Sequence, residues 1–391
     1  MLKEIKKNLF AIISVDWDRR LFDSLIPLPD GTSYNAYLIK GSEKTVLIDS
    51  TDPAMLDRLM TPLQEISKID YVISLHTEQD HSGAIPHVLE KYPEAVLICS
   101  PKAKELIMDH LLIPAEKIRT VEDGEELSLG DKTLEFIHFP WVHWPETMFA
   151  YLKEDKVLYT CDFYGSHLAT SDLFVTDECV LYDAAKRYFA EIMMPFRPMI
   201  RKNLPKLDKY EIEIIAPSHG PLHNNPKFIR DAYNDWLSDD VKNEVIIPYV
   251  SMHGSVEKMV QHLMKELESK GVTVYPFNMD VADMGKLAIR LVDAATIVVG
   301  TPTVLFEPHP TVGYAVRLAN ILKPKTKFVS VLGSYGWGSK VIEQVAGMIP
   351  NLKVEIIDPL LVKGAPKADD FKAIEKIAEK IHQKHKELGI A

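Results

Sequence analysis

Positive charge is in short supply. The 391-residue chain sets 45 Lys and Arg against 56 Asp and Glu, a net charge of −11 with histidine neutral. That balance excludes the clustered cations that grip a phosphate backbone or an anionic bilayer, so neither nucleic acid nor a membrane is expected as partner. Long apolar runs are missing too: none reaches the roughly 20 residues that span a bilayer. The N-terminus, Met1-Leu2-Lys3-Glu4-Ile5-Lys6-Lys7, runs into Asp16 and Asp18 without the apolar stretch of a secretory signal. Cysteine is scarce. Cys99, Cys161 and Cys179 are odd in number and far apart, which excludes a disulfide frame. They read as buried small hydrophobes in a reducing cytoplasm. No Cys-x-x-Cys occurs, so no rubredoxin-type or iron–sulfur centre is expected within the chain.

The remaining composition, 46% apolar and 26% charged, is that of a globular protein, and its length predicts two domains. Residues 1–242 alternate short strands (10–15, 34–40, 45–49, 71–75, 95–99, 126–129, 133–139, 148–152, 157–161, 213–216) with helices over 53–66, 83–92, 101–111 and 182–202. This pattern predicts two sheets packed as a sandwich and covered by helices. A polar, helical connection over 226–242 leads to residues 243–391. There, strands over 244–250, 272–277, 296–300, 327–332 and 353–358 alternate strictly with helices over 255–270, 284–293, 312–322, 339–348 and 368–389, which predicts a doubly wound parallel sheet.

Chemistry concentrates in His76-Thr77-Glu78-Gln79-Asp80-His81, directly after the apolar run Tyr71-Val72-Ile73-Ser74-Leu75. A strand end aims only alternate side chains at one ion. A sharp turn after it lets His76 and Glu78 serve one metal while Asp80 and His81 reach a second. The plainer reading is a polar loop with Asp80 or Ser82 capping a helix. Three later positions supply matching ligand types, each just beyond an apolar strand: His143, Asp162 and His219. Together these make four imidazoles and three carboxylates. If Asp162 bridges, each ion receives two imidazoles and one terminal carboxylate. Two divalent ions then nearly balance three carboxylates and a hydroxide, as a buried cluster requires. His138 reads as core or a support behind His143. His87, His110, His262, His382 and His385 fall on helix faces and read as solvated.

In the second half, Ser251-Met252-His253-Gly254-Ser255-Val256 joins a strand to a helix. Backbone N–H groups at such a junction can cradle phosphate, although an ordinary turn capped by Ser255 has the same sequence. Thr301-Pro302-Thr303 and Gly333-Ser334-Tyr335-Gly336-Trp337 follow the third and fourth strands. In a sheet of order 2-1-3-4-5 these loops converge at the switch point, where FMN binds.

His-x-Glu-x-Asp-His, followed by His143, Asp162 and His219 at strand ends, resembles the metallo-β-lactamase superfamily in its flavodiiron branch. The sequences Trp144-Pro145-Glu146-Thr147-Met148 and Asp162-Phe163-Tyr164-Gly165-Ser166-His167 are similar to that branch as well. The resemblance implies an αββα sandwich fused to a flavodoxin-like domain. It implies two irons bridged by Asp162, with His76, Glu78, Asp80, His81, His143 and His219 as the other ligands, and His167 hydrogen-bonded to a ligand carboxylate. Glu78 stands where the zinc hydrolases of the superfamily have His, and its hard anionic oxygen favours iron. FMN is expected at Ser251, Met252, His253, Gly254, Ser255, Val256, Thr301, Pro302, Thr303, Ser334, Tyr335, Gly336 and Trp337. Val256 departs from the Thr or Ser frequent at that position. The implied activity is reduction of O2 to water, or of NO to N2O, with FMN as relay. A head-to-tail homodimer or a tetramer is expected, with electrons from a rubredoxin or from reduced deazaflavin F420. Two other classes stay open: a dinuclear metallohydrolase with a regulatory flavodoxin-like half, and a flavin carrier with a degenerate metal site.

Overall fold

Strands such as Thr32–Lys40, Met148–Leu152 and Val157–Cys161 are buried almost end to end, which happens only when both faces of a sheet are covered. The computed structural model, describing residues 2–391, shows what covers them. One sheet runs in the order Leu2–Lys6, Leu9–Asp16, Thr32–Lys40, Thr45–Ile48, Tyr71–Ile73, Val96–Cys99, Ile118–Thr120. A second runs Glu126–Ser128, Thr133–His138, Met148–Leu152, Val157–Cys161, Ile214–Pro217. Between them lies a core that includes Tyr37, Ile48, Ile73, Phe136, Met148 and Tyr159. Helices Leu56–Leu63, Ile85–Lys91 and Pro101–Leu111 cover the outer face of the first sheet through Leu59, Leu63, Val88 and Ile107. The result is the expected αββα sandwich.

The outer helices on the second sheet differ from expectation. In place of one helix over 182–202, helix Glu178–Tyr188 passes into a π turn, Phe189–Met193, a 3-10 turn, Met194–Phe196, and helix Arg197–Asn203. Pro195 and Pro198 lack the N–H that would continue each ladder, so the helix restarts. The polar connection, expected to be helical, contains helix Pro226–Leu237, whose Ile229, Tyr233 and Trp236 are buried. Tyr233 packs edge-on against Phe163 and Tyr164 at 4.9 and 4.7 Å, which ties this helix to the sandwich. The chain divides into two compact units after Leu237.

The second unit is a parallel sheet of order Thr273–Asn278, Lys242–Tyr249, Ala294–Val304, Phe328–Tyr335, Glu355–Ile356, with Leu360–Lys363 also paired to Phe328–Tyr335. The strand order is therefore 2-1-3-4-5. The edge strand is split because Pro359 cannot donate to the ladder, and Asp358 before it has φ of 23°. Helix Ala368–Glu387 carries His385, which is buried rather than solvated. Its Nδ1 lies 2.7 Å from Asn243 Oδ1 and its Nε2 lies 2.7 Å from Thr296 Oγ1. His262 pairs with Glu375 at 3.3 Å, so it too has a partner.

Burial, with help from His382, pushes His385 down to about 4. A neutral ring is the folded form, so its stabilisation is complete above the free-imidazole value near 6.5 and is lost as pH falls toward 4, where the unfolded chain takes a proton that the fold refuses. Denaturation midpoints of wild type and His385→Gln measured between about pH 7 and 4 should therefore converge. The wild type should lose roughly 2 to 3 kcal/mol more than the variant across that window; parallel curves would contradict this.

Candidate metal centre

All four sandwich positions singled out above sit beyond the carboxyl ends of strands. Parallel neighbours Thr45–Ile48, Tyr71–Ile73 and Val96–Cys99 end on one side of their sheet, and Val157–Cys161 pairs in parallel with Ile214–Pro217 in the other. Two buried groups that the sequence reading passed over fix these ends. Asp49 Oδ1 accepts the Leu75 N–H at 2.8 Å, and Ser218 Oγ donates to Asp49 Oδ2 at 3.3 Å, so one carboxylate joins the loops carrying His76 and His219. Burial pushes Asp49 up to about 6 against the pull of His81. Ser50 donates to the His81 carbonyl from both N–H and Oγ, at 2.7 and 2.6 Å. The signal was present in Ile48-Asp49-Ser50, an acid at the end of an apolar strand.

The loop after Tyr71–Ile73 turns at once into the short helix Gln79–Ser82. Neither Asp80 nor Ser82 caps it: Glu78 occupies the cap position without a side-chain cap bond, and Ser82 Oγ donates to the carbonyls of Thr77 and Glu78. The side chains turn toward one another instead. Glu78 Oε2 lies 3.2 Å from His76 Nε2 and 3.1 Å from His143 Nε2. Asp80 Oδ2 lies 3.3 Å from His81 Nε2 and 3.2 Å from His219 Nε2. Asp162 stands between the two groups. Its Oδ2 faces His143 and His76 at 3.1 and 3.5 Å, and its Oδ1 faces His81 and His219 at 2.8 and 3.3 Å.

Donor atoms about 3 Å apart are spaced as neighbours on the sphere of one ion about 2 Å away. Their aim supports this. Asp80 Oδ1 and Oδ2, His81 Nε2 and Asp162 Oδ1 are buried without a hydrogen bond, although His81 Nε2 and Asp162 Oδ1 are only 2.8 Å apart. Atoms at hydrogen-bond distance with the wrong angle are lone pairs converging on a third point. Such orphaned polar atoms are costly unless a cation meets them. Electrostatics agrees. Burial opposes charge on His143 and His219, yet the facing carboxylates lift them to about 9 and about 10. Burial likewise opposes ionisation of Glu78 and Asp162, yet the imidazoles hold both below the carboxylate range. The cluster is built around positive charge.

Hydrogen bonds behind the ligands set the ring tautomers. His76 Nδ1 donates to Glu146 Oε1 at 2.7 Å, and Thr77 holds the same oxygen through N–H and Oγ1 at 3.0 and 2.7 Å. His219 Nδ1 donates to the Ser33 carbonyl at 2.7 Å. Each bond leaves Nε2 as a lone pair aimed into the cluster. Glu146 lies in the flanking sequence quoted above but had no assigned role. His167 does not hydrogen-bond a ligand carboxylate. Its Nδ1 lies 2.9 Å from Thr32 Oγ1, and its ring packs on His219 with centroids 4.7 Å apart, because Gly165 and Ser166 turn the loop toward the His219 backbone. His138 is bonded to the Val121 carbonyl at 3.0 Å, away from the cluster. A cavity of about 440 Å³ opens onto Glu78 and Asp80, with Phe22 and Trp144 on its walls.

In the second unit, the ends of Lys242–Tyr249, Ala294–Val304 and Phe328–Tyr335 are adjacent, with Tyr249 beside Gly300 and Gly300 beside Leu332. Gly254, at φ 79°, turns the chain into helix Ser255–Glu268, and Ser251 Oγ accepts the Glu257 N–H at 3.1 Å. Met252 and His253 are exposed beside Gly254 and Ser255. At three places the local structure differs from the expected loops. Val256 is 1% exposed and its side chain packs with Val245, Met259 and Val260 in the core, so only its backbone faces the junction. Thr301-Pro302-Thr303 is strand rather than loop, paired with 333–334 and with Pro308. Thr301 is buried with Oγ1 accepting the His309 N–H at 2.9 Å, and Thr303 Oγ1 donates to Ser339 Oγ at 2.8 Å. Ser334 and Tyr335 likewise end a strand, with Gly336 and Trp337 exposed beyond it.

Comparison with known proteins agrees with this geometry. The family model described as ODP family beta lactamase matches residues 32–220, and that of flavodoxin matches 247–377. A nitric oxide reductase of Moorella thermoacetica is 33% identical over 96% of this chain and 97% of its own. A flavo-diiron protein of Clostridium acetobutylicum is 31% identical over 96% and 98%. The rubredoxin oxygen:oxidoreductase of Desulfovibrio gigas superposes with a TM-score of 0.96 over 100% of both chains at 27% identity. With a lactamase-like unit, a flavodoxin-like unit and full-length relatives above 30% identity, the chain belongs to the flavodiiron proteins.

Proposed function

We propose that this chain is an FMN-dependent oxidoreductase that reduces O2 to water, O2 + 4 e⁻ + 4 H⁺ → 2 H2O, at a pair of irons. Reduction of NO to N2O at the same site is the second reading, favoured by the relative named for that activity. One observation carries the proposal: the two oxygens of Asp162 are divided between two donor groups, each with two imidazole nitrogens and one further carboxylate. His76, Glu78 and His143 would hold one ion and Asp80, His81 and His219 the other. Iron in such a site supplies a change of oxidation state and open positions for a diatomic molecule, and FMN supplies electrons singly or in pairs. Glu146 and the Ser33 carbonyl keep the protons of His76 and His219 on Nδ1, away from the cluster. Phe22 and Trp144 form walls of the cavity that opens onto Glu78 and Asp80.

FMN would lie across the strand ends of the second unit. Backbone N–H groups from Ser251 to Val256 would receive its phosphate. Thr301, Pro302, Thr303 and Ser334 would form the floor, with Met252, His253, Tyr335, Gly336 and Trp337 around the flavin. Trp337 is 85% exposed and Met252 52% exposed, which suits surfaces that a flavin and a second subunit would cover. The assembly that brings flavin to metal would be a head-to-tail homodimer, with a tetramer as the larger form. A rubredoxin or reduced F420 would supply electrons, in the cytoplasm. Among the described residues no helix is long and apolar enough to cross a membrane.

Two measurements check this reading. Anaerobically reduced, iron-loaded protein mixed with O2 or NO in a stopped-flow instrument should reoxidise its flavin rapidly, and Asp162→Ala should slow this at least about 100-fold, since loss of a group that merely supports a ligand already costs about 10- to 100-fold. Unchanged reoxidation would leave only a flavin carrier, and none in the wild type would favour the hydrolase class. Iron titration should give two ions per chain, with Glu146→Gln weakening binding about 10- to 100-fold through loss of the His76 bond; a variant with native affinity would contradict that role.

A further inference from the structure

Reduction of O2 consumes four protons with its four electrons, and ligand side chains committed to metal have none to give. Besides Glu78 and Asp80, the titratable side chains on the cavity wall are Asp23, Asp52 and His110. Asp52 is committed: its Oδ1 accepts the Ala54 N–H at 2.8 Å and its Oδ2 pairs with Arg19 at 3.3 Å. His110 stands against Trp144 with ring centroids 6.2 Å apart. Asp23 is the remaining carboxyl on the wall, and among the described residues it makes no hydrogen bond and no ion pair.

Its position is built. Asp23 tips a short hairpin, Leu21–Phe22 paired with Ile26–Pro27, whose turn is closed by the Leu25 N–H donating to the Phe22 carbonyl at 2.9 Å. Phe22 points inward at 5% exposure, with its ring 5.4 Å from His167 and 6.5 Å from His219. Arg19 latches the base of the hairpin to Asp52 and lies 5.6 Å over the Phe22 ring. Asp23 and Ser24 hold φ of 49° and 54°, a conformation that costs free energy for residues other than glycine and persists where surrounding structure enforces it. The backbone of Asp23 is thus held at a boundary, with the residue exposed to solvent and lining the cavity.

We propose that Asp23 relays protons from bulk water into the cavity above Glu78 and Asp80. The inference rests on the reductase reading. In each cycle the Asp23 carboxyl gives a proton to a reduced oxygen in the cavity and regains one from water, four times per O2, while the electrons come from FMN and its donor. A relay needs an exchangeable proton rather than a resident one, and partial exposure supplies the exchange. The groups facing Asp23 are Arg19 from its own segment, Asp52 across the latch, Glu78 and Asp80 from the metal loop, and His143 and His110 from the remaining walls. Burial is the largest cause raising its carboxyl above the usual range.

The test compares Asp23→Asn, Asp23→Glu and, as control, Ser24→Ala, each loaded with FMN and iron. At about pH 8, Asp23→Asn should lose about tenfold or more in kcat with KM for O2 unchanged and a larger solvent deuterium isotope effect, as expected when a positioned acid is removed. Asp23→Glu should recover most of the loss, and Ser24→Ala should match the wild type. Without turnover, an infrared titration of the oxidised protein should show a protonated-carboxyl band that Asp23→Asn abolishes. If Asp23→Asn with native iron content keeps the wild-type kcat and isotope effect at every pH, the relay is wrong. A wild type that reduces neither O2 nor NO would instead remove the reductase reading itself.

Discussion

The structure of the first unit depends on one electrostatic constraint. Three carboxylates and four imidazoles, all but Glu78 and His143 buried, must share one cluster, and Asp162 must serve both halves of it. Taking carboxylates out of water is expensive unless cations meet them. The imidazoles meet part of that need, which is why His143 and His219 are lifted to about 9 and about 10. Two metal ions would meet it fully and release those protons. The surrounding fold holds the groups in place against their tendency to find other partners: Asp49 joins two ligand loops, Ser50 holds the His81 carbonyl, and Glu146 and Ser33 fix two rings.

The sandwich makes that arrangement possible because its parallel strand pairs end on one side, so ligands distant in sequence meet at neighbouring carboxyl ends. The flavodoxin-like unit uses the same device. There the ends of strands 1, 3 and 4 lie side by side, and a helix N-terminus faces them. The sandwich thus carries its candidate ligands on loops at strand ends, over a sheet that bears most of the structural burden.

Much of this was legible in the sequence, for identifiable reasons. His76, Glu78, Asp80 and His81 sit within six residues after an apolar strand, and His143, Asp162 and His219 each follow another; ligand types so spaced have few alternative explanations. Strict strand–helix alternation after residue 243 fixed the second sheet. What escaped was whatever depends on partners distant in sequence. Glu146 and Asp49 are ordinary acids until the fold brings His76 and Leu75 to them. His167 was expected on a carboxylate and bonds Thr32 instead, 135 residues away. Val256 was read as a departure from a phosphate contact, yet it is a core residue whose side chain faces Met259 and Val260. His385 was read as solvated because a helix face shows its neighbours in sequence but not the Thr296 and Asn243 it meets in space.

The claim beneath all of this is that one carboxylate, Asp162, is shared by two metal ions. Crystals of the iron-loaded protein, measured for anomalous scattering at the iron edge, test it directly. The account predicts two peaks, one bounded by His76, Glu78 and His143 and the other by Asp80, His81 and His219, with Asp162 between them. A single peak, or two peaks away from Asp162, would contradict it.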